Sequence, residues 1–458
     1  MDTYHLVRDI PVEEGYDLVV VGGGIGGSVA AIAAGRLGAR VLLVEGTGCL
    51  GGMGTSGLVN AFDPMANGEE MLVGGLMREL VETMYARGYL QPGIDPNAWR
   101  KNFHQWTPFK LEGLKLMLDE WTHDAGVEVR FFTRVIDADA AGDTVGGVVL
   151  SNVEGYRFVR AKTFIDATGD AVLATLCGVP CREPGRDTER PMPSTLASLF
   201  ANVQWPIRQY EEAARAQYLE EAYETGLMTQ CDRHLPGLSR VGESVGYLNG
   251  GHLFNLNALR CKDLTDGMML GRKIAQEYLA FYKKYIAGCE DAEIVTTATL
   301  MGVRESRRIV GEYELNIGDY MARRHFHDQI GLFNKFVDIH PLDTSKEAWQ
   351  TFRQSSFQDD RINPGESFGI PYGILVPKGF RNLWVAGRCT CSDVKVHGSI
   401  RVMPACAMMG QAAGTAAVQA IHTGQRADAL DTAALVTTLR AQGAYLPQTA
   451  LHSQMTRA

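Results

Sequence analysis

The chain has 458 residues, of which 45% are hydrophobic and 21% charged, so it is long enough for two or three globular domains. Its net charge of −9, from 44 basic and 53 acidic side chains, argues against nucleic acid or an acidic membrane surface as a partner. No apolar run approaches the length of a membrane span and no signal peptide is recognised, so we expect a cytoplasmic protein.

The cysteines and histidines are scattered along the chain. An odd number of dispersed cysteines argues against a disulfide framework, and no CxxC pair supports an iron–sulfur cluster or a structural zinc. His325 and His327 are two residues apart with no further ligand nearby, which favours a solvated turn. We therefore predict reduced thiols and no metal site. The nine cysteines are Cys49, Cys177, Cys181, Cys231, Cys261, Cys289, Cys389, Cys391 and Cys406.

The first predicted elements form a strand–helix–strand unit. Residues 16–21 read as a short apolar strand, residues 28–37 as an alanine-rich helix and residues 40–44 as a second strand. The small alanine side chains let the helix lie close to the sheet. The fold class that we predict is therefore α/β, with a Rossmann-like, doubly wound nucleotide-binding domain.

A glycine fingerprint joins this first strand to its helix. Gly22, Gly24 and Gly27 have the GxGxxG spacing, and Glu45 closes the second strand. A dinucleotide pyrophosphate binds at the helix N-terminus, where free N–H groups and the positive dipole end face it and side chains would block the approach. Glu45 would accept hydrogen bonds from a ribose hydroxyl and would repel a 2′-phosphate, which disfavours NADP.

A second glycine pair, Gly51-Gly52, distinguishes FAD from NAD. It is followed by Met53-Gly54-Thr55-Ser56-Gly57 and is unusual in NAD dehydrogenases. Glycine at these positions is explained by a second close approach of backbone to the diphosphate and ribityl chain, with Thr55 and Ser56 as donors. The sequence therefore predicts FAD.

Later elements divide the chain into segments. We predict a first FAD-binding segment (1–180), an inserted α+β substrate or cap domain (181–295), a returning FAD-binding segment (296–425) and a C-terminal tail (426–458). Further helices are predicted at 110–125, 210–225, 265–285 and 405–422. Further strands are predicted at 127–132, 145–151, 156–160 and 163–165, and residues 382–387 form a small, apolar, glycine-punctuated run.

Four stretches resemble one known family. Residues 16–62, FIDATGDAVLATLCGVP (164–180), GVRESRRIVGEYEL (302–315) and NLWVAGRCTCSDVKVHGSIRVMPACAMMGQAAGTAA (382–417) follow its order. The chain resembles the FAD-dependent oxidoreductase family of the glutathione-reductase-like, two-segment FAD-binding superfamily. The region between these stretches is similar to the family only loosely.

The resemblance implies contacts with each part of the cofactor. It implies that Val135 meets the adenine, that Gly169 and Asp170 border the adenosine end, and that Gly387 and Arg388 approach the phosphate and ribityl portion. Met403, Pro404 and Ala405 would lie along the isoalloxazine ring, where a helix N-terminus stabilises negative charge on reduced flavin. The candidate cofactor-binding residues are Gly22, Gly24, Ile25, Gly26, Gly27, Glu45, Gly46, Gly51, Gly52, Met53, Thr55, Ser56, Val135, Gly169, Asp170, Gly387, Arg388, Met403 and Ala405.

Four side chains are candidates for catalysis. His397 could act as a base or attach the flavin covalently, and Arg401 could bind an anionic substrate group or the flavin carbonyl. Arg304 belongs to a charged run, 304–308, that would be an ordinary solvated helix face if it did not match a family motif. His252 lies in 249–257, which alternates as a strand lining a cavity would. For His397 and Arg401 a purely structural role is the alternative.

The function predicted from these observations is that of an FAD-dependent oxidoreductase, a dehydrogenase or oxidase that transfers a hydride from a small organic substrate to flavin N5. Two alternatives stay open: a flavin-binding electron-transfer subunit acting with a protein partner, and a non-redox isomerase or hydratase. The electron acceptor is left open, and a homo-oligomer is compatible with the sequence.

Overall fold

The computed structural model describes residues 2–101, 103, 106–186, 188–207, 212–230, 232–355 and 361–447. Cys231 and the end of the predicted tail lie outside these residues. The strands are β1 (Val12–Val21), β2 (Val41–Val44), β3 (Ala61–Phe62), β4 (Thr107–Pro108), β5 (Glu128–Arg130), β6 (Arg134–Ala141), β7 (Thr144–Asn152), β8 (Gly155–Asp166), β9 (Cys181–Arg182), β10 (Ser194–Thr195), β11 (Ser198–Ala201), β12 (Ser239–Arg240), β13 (Gly246–Leu248), β14 (His252–Leu253), β15 (Glu293–Thr297), β16 (Arg308–Ile309), β17 (Gln329–Phe333), β18 (Phe368–Pro371) and β19 (Leu383–Val385). The helices are α1 (Ile25–Arg36), α2 (Gly75–Ala86), α3 (Leu111–Asp124), α4 (Val172–Leu176), α5 (Glu212–Glu224), α6 (Cys261–Tyr285), α7 (Ile317–Met321), α8 (Lys346–Gln354), α9 (Val394–Ile400), α10 (Met403–Thr423) and α11 (Thr432–Ala441).

A mixed sheet of seven strands forms the centre of the fold. Strands β5, β2, β1 and β8 lie side by side in parallel, and β19 pairs in parallel with the end of β8. The apolar strand β2 is buried along its whole length, as expected for a parallel strand covered on both faces. The predicted α/β fold with a Rossmann-like parallel sheet is confirmed.

Strand β8 is longer than the sequence predicts. The two short runs predicted at 156–160 and 163–165 form one continuous strand. Its first half pairs with β7 in a β6–β7–β8 meander, and its last residues pair with β19. The prediction of two strands was wrong because β1 pairs with β8 from Phe158 to Asp166, across the predicted break, which local pattern does not reveal.

Helices α1 and α10 pack against each other through residues without bulky side chains. A Cβ atom on Gly410 would lie 2.1 Å from the carbonyl oxygen of Gly26, and one on Gly414 would lie 2.2 Å from that of Ala30. Every residue of α10 from Met403 to Val418 is buried. This close packing places α10 directly beside the glycine fingerprint.

A second hydrophobic core lies between Leu196 and Met301 and includes Phe200, Tyr278 and Phe281. The antiparallel sheet β12–β13–β11–β15 contributes to it, and the long amphipathic helix α6 packs on it. This core falls mainly within 181–295, and we propose, as the sequence predicts, that this segment is a separate covering domain. Across the described residues, no helix is both long enough and apolar enough to cross a bilayer.

Candidate functional site

The parallel strands of the central sheet end together at one edge. Val21, Val44 and Val385 are the last residues of β1, β2 and β19, and the register places Val21 opposite both Val44 and Asp166. Ligands of such sheets bind outside the carboxyl ends of the strands. The predicted cofactor-binding residues that follow these strands therefore share one edge.

The N-terminus of α1 leaves room for a phosphate. A Cβ atom on Gly24, the residue before the helix, would meet no atom within 4 Å, whereas one on Gly27 would lie 1.8 Å from the carbonyl oxygen of Gly22. No side chain caps the helix. The N–H groups of Ile25 and Gly26 have no partner inside a helix at these positions. Gly27 is therefore required for packing, and Gly24 borders an open approach to these donors.

The second glycine pair, Gly51-Gly52, contacts the loop that carries the glycine fingerprint. The Gly51 N–H donates to the Gly23 carbonyl at 2.8 Å, and a Cβ atom on Gly52 would lie 2.9 Å from Gly24 Cα. Met53 belongs to the short 3-10 turn that follows. The hydroxyl of Thr55 donates to the Leu50 carbonyl at 2.6 Å, so it stabilises the loop.

Ser56 joins this loop to the segment after β15. Its carbonyl accepts the N–H groups of Thr299 and Leu300, and its hydroxyl lies 3.2 Å from Cys49 Sγ. The loop that carries the second glycine pair is therefore braced by hydrogen bonds of its own side chains and backbone.

The predicted adenosine end is built around Glu45. Its carboxylate accepts the N–H groups of Gly23 and Thr47, each at 2.7 Å. Two oxygens with about four acceptor positions leave capacity for a ribose hydroxyl. Its carbonyl accepts from Thr133, and Val135 follows in β6, buried against β7. Gly46 lies next to the Arg134 side chain.

Arg388 forms a partly buried cluster with the residues predicted at the other side of the nucleotide. Its guanidinium pairs with Asp170 and lies against Gly169, and Asp170 also accepts the Ser306 hydroxyl at 2.6 Å. Arg388 Nε is buried with no hydrogen-bond partner among the described residues. A buried donor without a partner is costly, so a polar ligand here fits the site.

The glycine loops and this unpaired donor together fit a dinucleotide such as FAD. Gly387 has a left-handed φ of +92°, and the Cβ of an alanine at Gly26 would lie 3.5 Å from Gly387 Cα. The start of α10 is near, because a Cβ atom on Gly387 would lie 3.9 Å from Cys406 Sγ. Both segments of the predicted FAD site therefore meet.

Helix α10 points its uncapped N-terminus at this meeting point. Val402 precedes the helix and provides no side-chain cap, and Pro404 occupies the first turn. Met403 packs towards Gly54, where an added Cβ atom would lie 2.8 Å from Met403 Sδ. Ala405 is fully buried. The arrangement suits stabilisation of negative charge on a flavin, as predicted.

Arg304 is buried and Arg401 nearly so, and both lie close to Asp338. Arg401 Nη2 donates to the Asp338 carbonyl at 2.9 Å and carboxylate at 3.1 Å, while Arg304 Nη1 donates to the Pro193 carbonyl at 2.7 Å. Burial and the charge of Arg401 lower the pKa of Arg304 to about 10. Burial raises the pKa of Asp338, but His340, Arg401 and Lys335 outweigh it and hold that pKa well below its usual range.

The run 304–308 is not the solvated helix face that its charge spacing suggests. It is an extended segment that ends in β16, and Arg308 forms a buried ion pair with Glu305 at 2.8 Å. Successive side chains point in different directions, so Ser306 contacts Asp170 while Arg307 pairs with Glu183. That interpretation was wrong because pairing with β9 overrides a helical pattern.

His397 is fully buried in α9 and contacts the same segment. Its Nε2 lies 2.9 Å from the Arg304 carbonyl, which only accepts, so Nε2 carries the proton and Nδ1 does not. Burial, with the charges of Arg308 and Arg401, lowers the pKa of His397 well below its ordinary value. The imidazole is neutral and supports the backbone of Arg304.

His252 is connected to Asp338 through His340. The predicted strand 249–257 is reduced to β14, because Asn255 adopts a left-handed φ of +58°. His252 Nδ1 faces the Asp232 carboxylate at 3.2 Å, and its Nε2 lies 2.8 Å from His340 Nδ1.

A series of contacting side chains thus runs from Asp232 through His252, His340 and Asp338 to Arg401. His340 Nε2 is 3.3 Å from Asp338, which in turn binds Arg401. The structure brings together three of the four catalytic candidates, Arg304, Arg401 and His397, and links them to His252 through Asp338 and His340. Asp232, Asp338 and His340 were not predicted, because they belong to no sequence motif with a recognisable spacing. The only available signal was a polar residue in an otherwise apolar run, as at Asp338.

Comparison with known proteins gives the following matches. The family model described as FAD dependent oxidoreductase matches residues 17–439. No curated protein matches the sequence. Similar solved structures include a geranylgeranyl bacteriochlorophyll reductase-like protein from Thermoplasma acidophilum (12% identity, 94% of this chain and 83% of that chain, TM-score 0.45). A second is the flavin-dependent brominase Bmp2, with 15% identity over 94% of this chain and 83% of that chain and a TM-score of 0.45. A third is the L-proline dehydrogenase from P. horikoshii, with 12% identity over 91% of this chain and 95% of that chain and a TM-score of 0.45.

Proposed function

Since the chain belongs to the family of FAD-dependent oxidoreductases, with FAD as its cofactor, we propose that it oxidises a small anionic organic substrate by hydride transfer to flavin N5. Bound FAD supplies the two-electron chemistry. The residues of the chain supply binding and orientation. The observation that carries the proposal is the buried arginine pair Arg304 and Arg401, with Asp338 as the acid that binds one of them directly.

Arg304 is buried, and among the described residues its guanidinium donates only to the Pro193 carbonyl and forms no ion pair. A buried charge is costly unless an opposite charge meets it, and a carboxylate fits the forked donors of arginine in bidentate geometry. Arg401 Nε is buried without a hydrogen-bond partner among the described residues. A substrate carboxylate would provide the missing acceptor and negative charge.

The same residues would orient the substrate towards the flavin. Arg401 lies two residues before Met403, the first residue of α10. An anion held by Arg401 would therefore lie close to the ring that we propose along Met403 and Ala405. We propose His397 as a positioning residue, since its Nε2 holds the Arg304 carbonyl.

The test is a reduction assay on the purified protein. Denaturation should release FAD, or leave it attached if it is covalent, and anaerobic mixing with substrates should bleach the flavin band. We expect hydroxy acids or amino acids to bleach it, and neutral alcohols and amines of the same size to be much slower. Bleaching by neutral compounds alone would contradict an anionic substrate, and turnover without any electron acceptor would indicate an isomerase.

A further inference from the structure

Three histidines from distant parts of the chain face one another at the substrate end. His234 precedes β12, His252 lies in β14 and His340 follows β17. One ring nitrogen of each lies within 4.8 Å of the other two. The ring centroids are separated by 4.9 Å (His234 to His252), 5.2 Å (His234 to His340) and 4.9 Å (His252 to His340). The three rings thus form a nearly equilateral triangle.

This triangle has the size that a shared metal ion requires. An imidazole ligand with a metal–nitrogen bond of about 2.0–2.1 Å has its ring centre roughly 3.2 Å from the metal, and a tetrahedral angle then separates two ring centres by about 5.2 Å. The three observed separations lie within 0.3 Å of that distance.

Carboxylates hold the outer nitrogens of two of the rings. Asp232 faces His252 Nδ1 at 3.2 Å and accepts the His252 backbone N–H at 2.9 Å, while Asp338 lies 3.3 Å from His340 Nε2. Metal-bound histidines commonly donate their second N–H to a carboxylate, which fixes the tautomer. The inner nitrogens, His252 Nε2 and His340 Nδ1, form a hydrogen bond of 2.8 Å with each other, which a bound ion would replace.

His234 completes the set with an unsatisfied nitrogen. Its Nδ1 is buried and has no hydrogen-bond partner among the described residues. Its backbone N–H donates to Asp232 at 3.0 Å, so one carboxylate organises both His234 and His252.

We propose that His234, His252 and His340 bind one divalent transition-metal ion through imidazole nitrogens, with at least one coordination position open to an oxygen ligand. Imidazole suits Zn²⁺, Co²⁺, Ni²⁺, Cu²⁺ and Fe²⁺, and three protein ligands with an open position are typical of reactive rather than structural sites. No metal site is predicted from the sequence, because these three histidines come from separate segments without a spacing motif.

The position of the site connects it to the arginine pair. Asp338 contacts both His340 and Arg401, at 3.3 and 3.1 Å. The carboxylates of Asp232 and Asp338 offset part of the positive charge of a metal ion. An oxygen of the substrate, or water, is the expected fourth ligand. Metal binding is independent of the reaction proposed above, because it can be measured without turnover.

The experiment measures metal binding to the FAD-loaded protein. After chelation, we expect Co²⁺ to bind with one equivalent per chain and to produce a visible d–d spectrum without the near-ultraviolet thiolate band that cysteine ligands would cause. X-ray absorption of the Zn²⁺ form should contain imidazole nitrogens and no sulfur. Sulfur ligation, or less than half an equivalent of bound ion, would overturn the proposal.

Variants assign the ion to these residues. His234→Gln, His252→Gln and His340→Gln should each weaken Co²⁺ binding at least about tenfold, and Asp232→Asn, which keeps all three ligands, should weaken it by about 10 to 100-fold. His327→Gln changes an exposed histidine elsewhere and should bind like the wild type. Unchanged affinity in all the ligand variants would overturn the site. FAD content and thermal stability establish that each variant is folded.

Discussion

The carbonyl oxygen of Gly26 occupies the space that a side chain on Gly410 would need, since a Cβ atom there would lie 2.1 Å away. Gly26 lies in the first turn of α1 and Gly410 in the third turn of α10. Because the backbones touch, the N-termini of both helices open towards the same region beside Gly387. We therefore expect the predicted cofactor site to depend on Gly410, which lies in the middle of a helix.

Replacing that glycine should separate the helices. Gly410→Ala forces a methyl group against backbone, and overpacking of this kind costs about 1–3 kcal/mol or more. We expect a lower melting temperature and a reduced ratio of bound FAD to protein. Gly246→Ala is the control, because its Cβ would lie 3.4 Å from the nearest atom, Val203 Cγ2. Equal stability of the two variants would contradict the packing argument.

Replacing Gly24 should affect cofactor binding without affecting folding. A Cβ atom there meets no protein atom within 4 Å, and its φ of −61° suits alanine. Gly24→Ala should therefore keep the stability of the apoprotein and weaken FAD binding by at least about tenfold, or ~1.4 kcal/mol. Titration of apoprotein with FAD measures this, with thermal melting alongside. Wild-type affinity in Gly24→Ala would remove the start of α1 from the FAD site.

Arg304 should bind substrate rather than stabilise the fold. Loss of a charged hydrogen bond to the substrate costs about 1.5–3 kcal/mol, so Arg304→Gln should raise KM by roughly ten-fold or more. The neighbouring Arg307 pairs with Glu183 in a partly exposed position. Arg307→Gln serves as the matched control and should leave KM nearly unchanged. If both variants have the same KM, the substrate does not contact Arg304.

His397 should position Arg304 through one hydrogen bond. His397→Ala removes the donor to the Arg304 carbonyl, whereas His397→Gln can keep an N–H donor there. We therefore expect a raised KM in the alanine variant and partial rescue by glutamine, measured with the substrate found by flavin bleaching. A fall in kcat of about 100-fold or more in both variants, with KM unchanged, would instead identify a general base.

Acid should destabilise the protein partly through His397. Its pKa is lowered in the folded protein, chiefly by burial, so the unfolded chain takes up a proton below about pH 6.5 that the folded chain does not. The contribution of His397 to the free energy of unfolding is then fully present above this pH. Below it, the free energy of unfolding falls by up to about 1.4 kcal/mol per pH unit because of this group.

Urea unfolding between pH 7.5 and 5 measures the effect. The His397→Gln variant should have a slope of unfolding free energy against pH that is smaller by up to one proton. His327→Gln, at an exposed position, should keep the wild-type slope. Identical slopes for wild type and His397→Gln would mean that His397 has the same pKa in the folded and unfolded chain.

Much of the cofactor-binding half could be predicted from local sequence. The strand before Gly22, the helix α1 and the small residues of α10 were recognised because each pattern lies within one stretch of chain. Errors arose where tertiary pairing outweighed local pattern, as in the single strand β8 and in the extended run from Arg304 to Arg308. Arg388 was expected to approach the cofactor, and only the fold revealed its ion pair with Asp170.

By itself, the sequence determined the family, the α/β fold and FAD as the cofactor, because a dinucleotide is bound largely by backbone groups whose glycines are contiguous in the chain. Only the tertiary structure decided which side chains share the substrate end. His234, His252, Asp338 and Arg401 come from separate segments, and only the folded chain brings them together. Long-range convergence of this kind has no local period or spacing, and so it leaves no motif in the sequence.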